Sequence, residues 1–324
     1  MTRVPGCDAM AAPFAARLDA IALARQHRHN HLRSLLILAG LGAWMALIGW
    51  LVAGSQGIFW AAAGTVLMVL VQPVRSTRFL QVLYGAMPLS AVQAPGLYAL
   101  VDELARRAGL RRTPPLLYIP RAEIIALSTG WGADATVAVS DGLLRLLSTR
   151  ELAAVLAHEV SHLRTGDLKL LRLAEAAGRL TRTLALFGLV LLVLYLPMVE
   201  QMGGVPTVPL LLLLAAPVVS DLLALTLSRT REFEADTGGA ELTGDPHGLI
   251  EALRRIDALQ GGGWEKLTRG RGLNWLRLIR THPTTEERIA RLRELEIMEP
   301  PHWLVLPEVM VVPGLRDMPR RWRF

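Results

Sequence analysis

The chain has 324 residues, 52% of them hydrophobic, and a mean hydropathy of +0.36. That is too apolar for an ordinary soluble enzyme of this size and points to membrane spans. A single cysteine, Cys7, excludes an internal disulfide and a multi-cysteine metal site, so metal ligands have to come from His, Asp or Glu. The net charge of +7 comes from arginines grouped beside apolar runs, which suits membrane flanks. No nucleic-acid-binding signature occurs, and no nucleic acid partner is expected.

Residues 1–34 are polar and basic, with Arg17, Arg25, Arg28 and Arg33, and are too long for a cleaved signal peptide; they read as a cytoplasmic N-terminal helix. His27, His29 and His31 suggest a second metal site. No acidic residue lies between Asp19 and the first apolar run, however, so a solvated juxtamembrane stretch is the preferred reading. Leu35–Ala53 is 19 residues without charge, enough to cross about 30 Å of hydrocarbon. Gly54-Ser55-Gln56-Gly57 turns the chain and Ile58–Val74 returns it, making 35–75 a transmembrane hairpin.

Residues 76–182 read as a folded segment outside the bilayer. Pro95–Ala108 is a helix stopped by Gly109. Leu116–Ile119, Ile124–Ser128 and Thr136–Val139 are short strands parted by Pro, Gly and Asp. An edge of that sheet could take up an extended peptide, or the sheet could be purely structural.

The centre of the chain is the helix that follows. Ser148 and Glu151 form a capping box, and Leu152, Val155, Leu156, Val160 and Leu163 recur at helical spacing, giving one apolar face. The helix carries His158-Glu159-Val-Ser-His162. Histidines four apart share one helix face and can take two corners of a tetrahedral zinc site. Glu159 lies beside that position, where it can act as general base on a metal-activated water.

A second pair of apolar runs, Thr183–Val199 and Pro209–Leu227, makes 183–228 a second hairpin, with prolines that argue against straight full-length spans. Both short turns between runs lack Lys and Arg, while every basic flank falls on the other side. The positive-inside rule puts the termini and the His-Glu helix in the cytoplasm. Asp221, inside the last run, is a functional candidate or an interfacial residue.

Residues 229–298 follow with Arg231-Glu232-Phe-Glu234-Ala-Asp236. Glu232 and Asp236 share a helix face, so Glu232 can be the third zinc ligand and Asp236 can bind the far nitrogen of a ligating His. Glu234 points away from that face. Asp245-Pro246 starts a helix to 260, Gly261–Asn274 reads as a flexible basic loop, and Thr284 with Glu287 caps a last amphipathic helix. The Pro-rich tail, 299–324, ends in a basic aromatic cluster suited to a membrane surface or to disorder.

Together, Ala154-Val-Leu-Ala-His158-Glu159-Val-Ser-His162, Arg231-Glu-Phe-Glu-Ala-Asp236 and His282-Pro283-x-x-x-x-Arg288 resemble the HtpX and CAAX-prenyl-protease family of membrane zinc metallopeptidases. The order of spans and motifs resembles it too, over roughly residues 35–298, and the HtpX branch fits better by length and span count. The resemblance implies a mainly α gluzincin-type fold with a small β-sheet and four transmembrane helices. It implies one zinc ion on His158, His162 and Glu232, with Glu159 as base and Asp236 supporting a ligand. It places His282 and Arg288 near the substrate, where they would steady the transition-state oxyanion. Implied substrates are proteins or peptides, membrane proteins among them, met at the bilayer of the cell membrane. One departure bears on substrate preference: Ile125 stands before Ala126 where family members often have Asn. Two rivals are a cutter inside the bilayer, which needs the motif within a span and usually a Leu-Asp-Gly partner, and a scaffold that keeps the motif without turnover.

Overall fold

A computed structural model describes residues 18–71, 77–201, 204, 207–260 and 283–296. The chain is mainly helical with one small sheet. In order it runs α1 (Ala20–Val71), α2 (Thr77–Tyr84), β1 (Met87–Leu89), α3 (Pro95–Arg107), β2 (Leu116–Ile119), β3 (Ala126–Thr129), β4 (Thr136–Ser140) and α4 (Asp141–Leu146). It continues with α5 (Thr149–Thr165), α6 (Asp167–Leu194), α7 (Leu196–Gln201), α8 (Thr207–Thr243), α9 (Pro246–Gln260) and α10 (Thr285–Arg293). The loop 261–274, His282 and the tail 299–324 lie outside the described residues.

Among the described residues, three helices, α1, α6 and α8, are long and apolar enough to cross a membrane. Helix α1 is broken at Ala53 and Gly54, whose dihedrals are non-helical, so its two arms fold back on each other where the sequence reading put a turn. Leu36, Phe59, Trp60, Leu186, Val193 and Leu211 stand exposed on these helices, an arrangement that suits lipid and not water. The apolar runs are not separate elements. The third continues α6 from Asp167, and the fourth continues without a break past Pro217 to Thr243. The expected boundaries at 182/183 and 228/229 therefore fall inside continuous helices, and each carries position from the bilayer into the folded part. Asp221 is paired: its carboxylate accepts two 2.9 Å bonds from Arg182 across α6 and α8.

The sheet has the order β1-β2-β4-β3. Strands β2 and β4 are parallel, while β1 on β2 and β3 on β4 are antiparallel. Strand β1 goes unseen in the sequence because three residues around Pro88 show no alternation, and proline is tolerated there because β1 is an edge. Strand β3 is the other edge.

Helix α5 sits in the middle of the core. The sequence suggested one apolar face, but Glu151 through Ser161 are all buried. Leu156, Val160, Val101, Val139, Ala240 and Leu249 meet in the same cluster, and each large side chain there stabilises the fold by about 1.5–3 kcal/mol on burial. The capping box forms as read: the Glu151 amide donates to Ser148 Oγ at 3.4 Å, and the Ser148 amide donates to Glu151 Oε2 at 2.7 Å. Gly166 ends the helix at φ +68°, a left-handed cap that turns the chain straight into α6.

The N-terminal arm of α1 is not a solvated stretch. Ala22, Gln26, Asn30 and Ser34, four apart, are buried on one stripe. Gln26 Nε2 donates to the Arg291 carbonyl at 2.9 Å, and Thr237 Oγ1 donates to Gln26 Oε1 at 3.1 Å. The arm is thereby tied to α10 and α8.

Candidate metal centre

Helices α5 and α8 pack closely enough that glycine is required where they touch. A Cβ added at Gly238 would overlap the Ser161 hydroxyl, and one at Gly239 would stand 3.0 Å from the His158 backbone nitrogen. This contact brings Glu232, nearly two turns earlier on α8, against the two histidines of α5. His158 Nε2 and His162 Nε2 face each other at 3.2 Å. Glu232 Oε2 lies 3.6 Å from His158 Nε2, and Glu232 Oε1 lies 3.8 Å from His162 Nε2. Tetrahedral zinc with bonds of about 2.0–2.1 Å needs ligand atoms about 3.3–3.4 Å apart. Two imidazoles and a carboxylate within a few tenths of an ångström of that spacing fit the ion.

The far side of each ring is anchored. His158 Nδ1 lies 3.0 Å from Asp236 Oδ1, and His162 Nδ1 lies 2.8 Å from Asp167 Oδ2. With Nδ1–H donating to a carboxylate, each Nε2 keeps its lone pair for a metal. Each carboxylate is held in turn. Arg288 Nε and Nη2 donate to Asp236 at 2.7 and 2.6 Å, and the buried guanidinium of Arg231 pairs with Asp167. Arg288 reaches the site from α10, and its Nη1 lies 4.0 Å from Glu232 Oε2.

Asp236 stands where the sequence put it. Arg288, expected at the oxyanion, has two of its nitrogens committed to Asp236. Asp167 and Arg231 were missed as parts of the centre. The available signal was a carboxylate straight after a glycine helix stop, five residues beyond the second histidine; a turn there swings it back onto the ring.

Burial pushes the His162 imidazolium down, but its bond to Asp167 and the charges of Glu232 and Glu159 outweigh that and raise it to about 9. Burial also pulls Arg288 down, and Asp236, Glu232 and Glu159 outweigh it and raise it. The centre is a concentration of negative charge ready for a cation.

A cleft of 540 Å³ opens on these groups. It is lined by Ala126, Leu127 and Ser128 of β3 and by Leu249, Leu253 and Ile256 of α9. Glu159, His158, His162, Glu232 and Arg288 line its floor, and Glu159 is buried to 9% exposure.

The model of peptidase family M48 matches residues 91–296, the segment that builds this centre. The chain belongs to peptidase family M48. A protease HtpX homolog of Pyrococcus abyssi is 33% identical over 280 residues, 82% of this chain and 96% of that protein. One from Sulfurihydrogenibium sp. is 32% identical over 287 residues, again 82% of this chain and 96% of its own. Among solved structures, that of S. mikatae Ste24p aligns over 83% of this chain and 66% of its own, at 17% identity and a TM-score of 0.49. As an M48 member carrying three long apolar helices, the protein is a membrane metallopeptidase.

Proposed function

We propose that this M48 chain is a zinc-dependent endopeptidase that cuts cytoplasmically exposed segments of protein substrates, membrane proteins included. The reading rests above all on the ligand spacing of His158, His162 and Glu232, at 3.2, 3.6 and 3.8 Å, with Glu159 at the floor of the same cleft. Zinc, when bound, supplies Lewis acidity: it would lower the pKa of a water to about 7 and polarise a carbonyl. The remaining work falls to the chain. Edge strand β3 takes an extended substrate segment as an added strand, which presents one peptide bond to the floor. Leu249, Leu253 and Ile256 cover its side chains and keep water out. Glu159 accepts the proton of the attacking water at its carboxylate and delivers it to the leaving amine. Asp236 and Asp167 hold the two imidazoles in the tautomer that leaves Nε2 free. Arg288 holds Asp236, and its positive charge in the cleft suits a developing oxyanion; for His282 that role is carried by its motif alone. The basic flanks Arg33, Arg179, Arg182 and Arg229 support a cytoplasmic site in the cell membrane.

The test is cleavage of an unfolded reporter by detergent-purified protein, as wild type, chelated, zinc-restored and Glu159→Gln samples matched by thermal melt. Wild type cleaves, chelation abolishes cleavage and zinc restores it, while Glu159→Gln keeps its zinc and loses about 10²–10⁴-fold in rate. Undiminished activity in Glu159→Gln would remove the assigned base, and no turnover from folded, zinc-loaded wild type would favour a scaffold.

A further inference from the structure

Helix α8 meets a second pair of histidines on its other side. Glu234 lies two residues beyond Glu232, about 200° around the helix, and faces the N-terminal arm of α1. Its side chain is 1% exposed, an unusual burial for a carboxylate that the peptidase chemistry does not use. Glu234 Oε1 stands 2.6 Å from His27 Nδ1 and 3.6 Å from His31 Nε2, and one ligand atom from each of the three residues falls within 4.8 Å of the others. Asn30, fully buried between the histidines, donates to Glu234 Oε2 at 3.0 Å and so turns Oε1 toward both rings. Glu241 Oε2 lies 3.6 Å from His27 Nε2 and offers a further carboxylate. The ligand types and their spacing repeat those of the catalytic centre: two histidines four apart on one helix, and a glutamate from α8.

We propose that His27, His31 and Glu234 form a second binding site for a divalent transition metal, zinc by ligand type, which clamps the N-terminal arm of α1 to the back of the helix carrying Glu232. Two imidazoles and one carboxylate suit zinc or its neighbours and exclude magnesium and calcium, which take oxygen. To close on the ion, His27 moves outward from its hydrogen bond and His31 moves in, both by side-chain rotation. Water or Glu241 completes the tetrahedron. The rival arrangement is a plain ion pair between His27 and Glu234, in which His31 has no part.

His31 therefore discriminates, and being 61% exposed it can be replaced without opening the core. Full-length protein in detergent is stripped with chelator and titrated with zinc alone, and bound metal per chain is counted. Wild type is expected to bind two ions, His31→Ala one, and His158→Ala/His162→Ala one. Hydrogen exchange over residues 20–34 should slow when the second ion binds to wild type and stay unchanged in His31→Ala. If His31→Ala binds as much zinc as wild type, the site is an ion pair and the proposal falls. A single wild-type ion lost only in the His158/His162 variant also overturns it, leaving the catalytic reading intact. A single ion lost only in His31→Ala upholds it and removes the catalytic centre instead.

Discussion

Two histidine pairs flank helix α8, each four apart and each facing a glutamate, and they differ in what stands behind the rings. Behind His158 and His162 lie Asp236 and Asp167, and behind those lie Arg288 and Arg231, from α10 and from α8 itself. Every outer nitrogen is occupied, so both Nε2 atoms point at one place. Behind His27 and His31 the layer is thinner: His27 spends Nδ1 directly on Glu234 and turns Nε2 toward Glu241, which Arg164 holds, while His31 is 61% exposed. The same residue types at the same spacing give a set of ligands already near 3.4 Å apart in one case and a loose cluster in the other. Readiness for a metal comes from the carboxylates and arginines behind the ligands, because they fix the rotamers that binding would otherwise have to fix.

The strongest way to break the first arrangement is to part the helices that assemble it. Gly239→Val places branched carbon against the His158 backbone, where even one Cβ would lie 3.0 Å from the nitrogen. Helix α8 must retreat from α5, carrying Glu232 off the histidines. A misplacement of about 1 Å at a reacting centre costs about 100-fold in rate, so reporter cleavage should fall by at least that factor, with zinc retention falling alongside it. Full activity in a folded Gly239→Val protein would mean that the α5–α8 contact does not set the centre.

Much of this was readable in the chain. The capping box, the histidine pair and the Glu232/Asp236 face are local patterns, each fixed by spacing along one helix, and they stand where spacing put them. What could not be read was everything that joins distant segments. The acidic partner of His27 was sought between Asp19 and the first apolar run, yet it comes from Glu234, 207 residues away. The burial of α5 from Glu151 to Ser161 depends on α3, α8, α9 and β3 arriving around it, and helical periodicity reports only the strongest apolar face. Continuity of α6 and α8 from bilayer to cleft was hidden because charge, not helicity, changes at 182 and 228. His282 falls outside the described residues, so its expected place is carried only by the motif.

A finer cut distinguishes the supports from the ligands. Asp167→Asn keeps the shape and a hydrogen-bond acceptor for His162 Nδ1–H but removes the charge that Arg231 and the imidazole share. Loss of such a support typically lowers metal affinity 10–100-fold. Zinc titrated onto the His158/His162 centre should bind more weakly by that factor in competition with a chromophoric chelator, while zinc-saturated protein keeps most of its turnover. An unchanged affinity would reduce Asp167 to a helix-start residue that happens to lie near the ring.

The smallest expected effect lies on the other face of α8, and it separates stability from chemistry. Asn30→Ala removes the donor to Glu234 Oε2 and the acceptor of Arg291 Nη1, which lies 3.1 Å from Asn30 Oδ1. A buried group left without its partner costs about 1–3 kcal/mol, so the thermal transition of chelated protein should move down by several degrees. Helix α8 is anchored to α5 by the glycine contact and to α10 by Arg288, and neither involves Asn30. Zinc affinity at His158 and His162 should then stay within about twofold of wild type, since additivity holds for sites that share no partner. If Asn30→Ala instead weakens that zinc as much as Asp167→Asn does, the two faces of α8 are coupled, and the N-terminal arm belongs to the peptidase centre and not only to the fold around it.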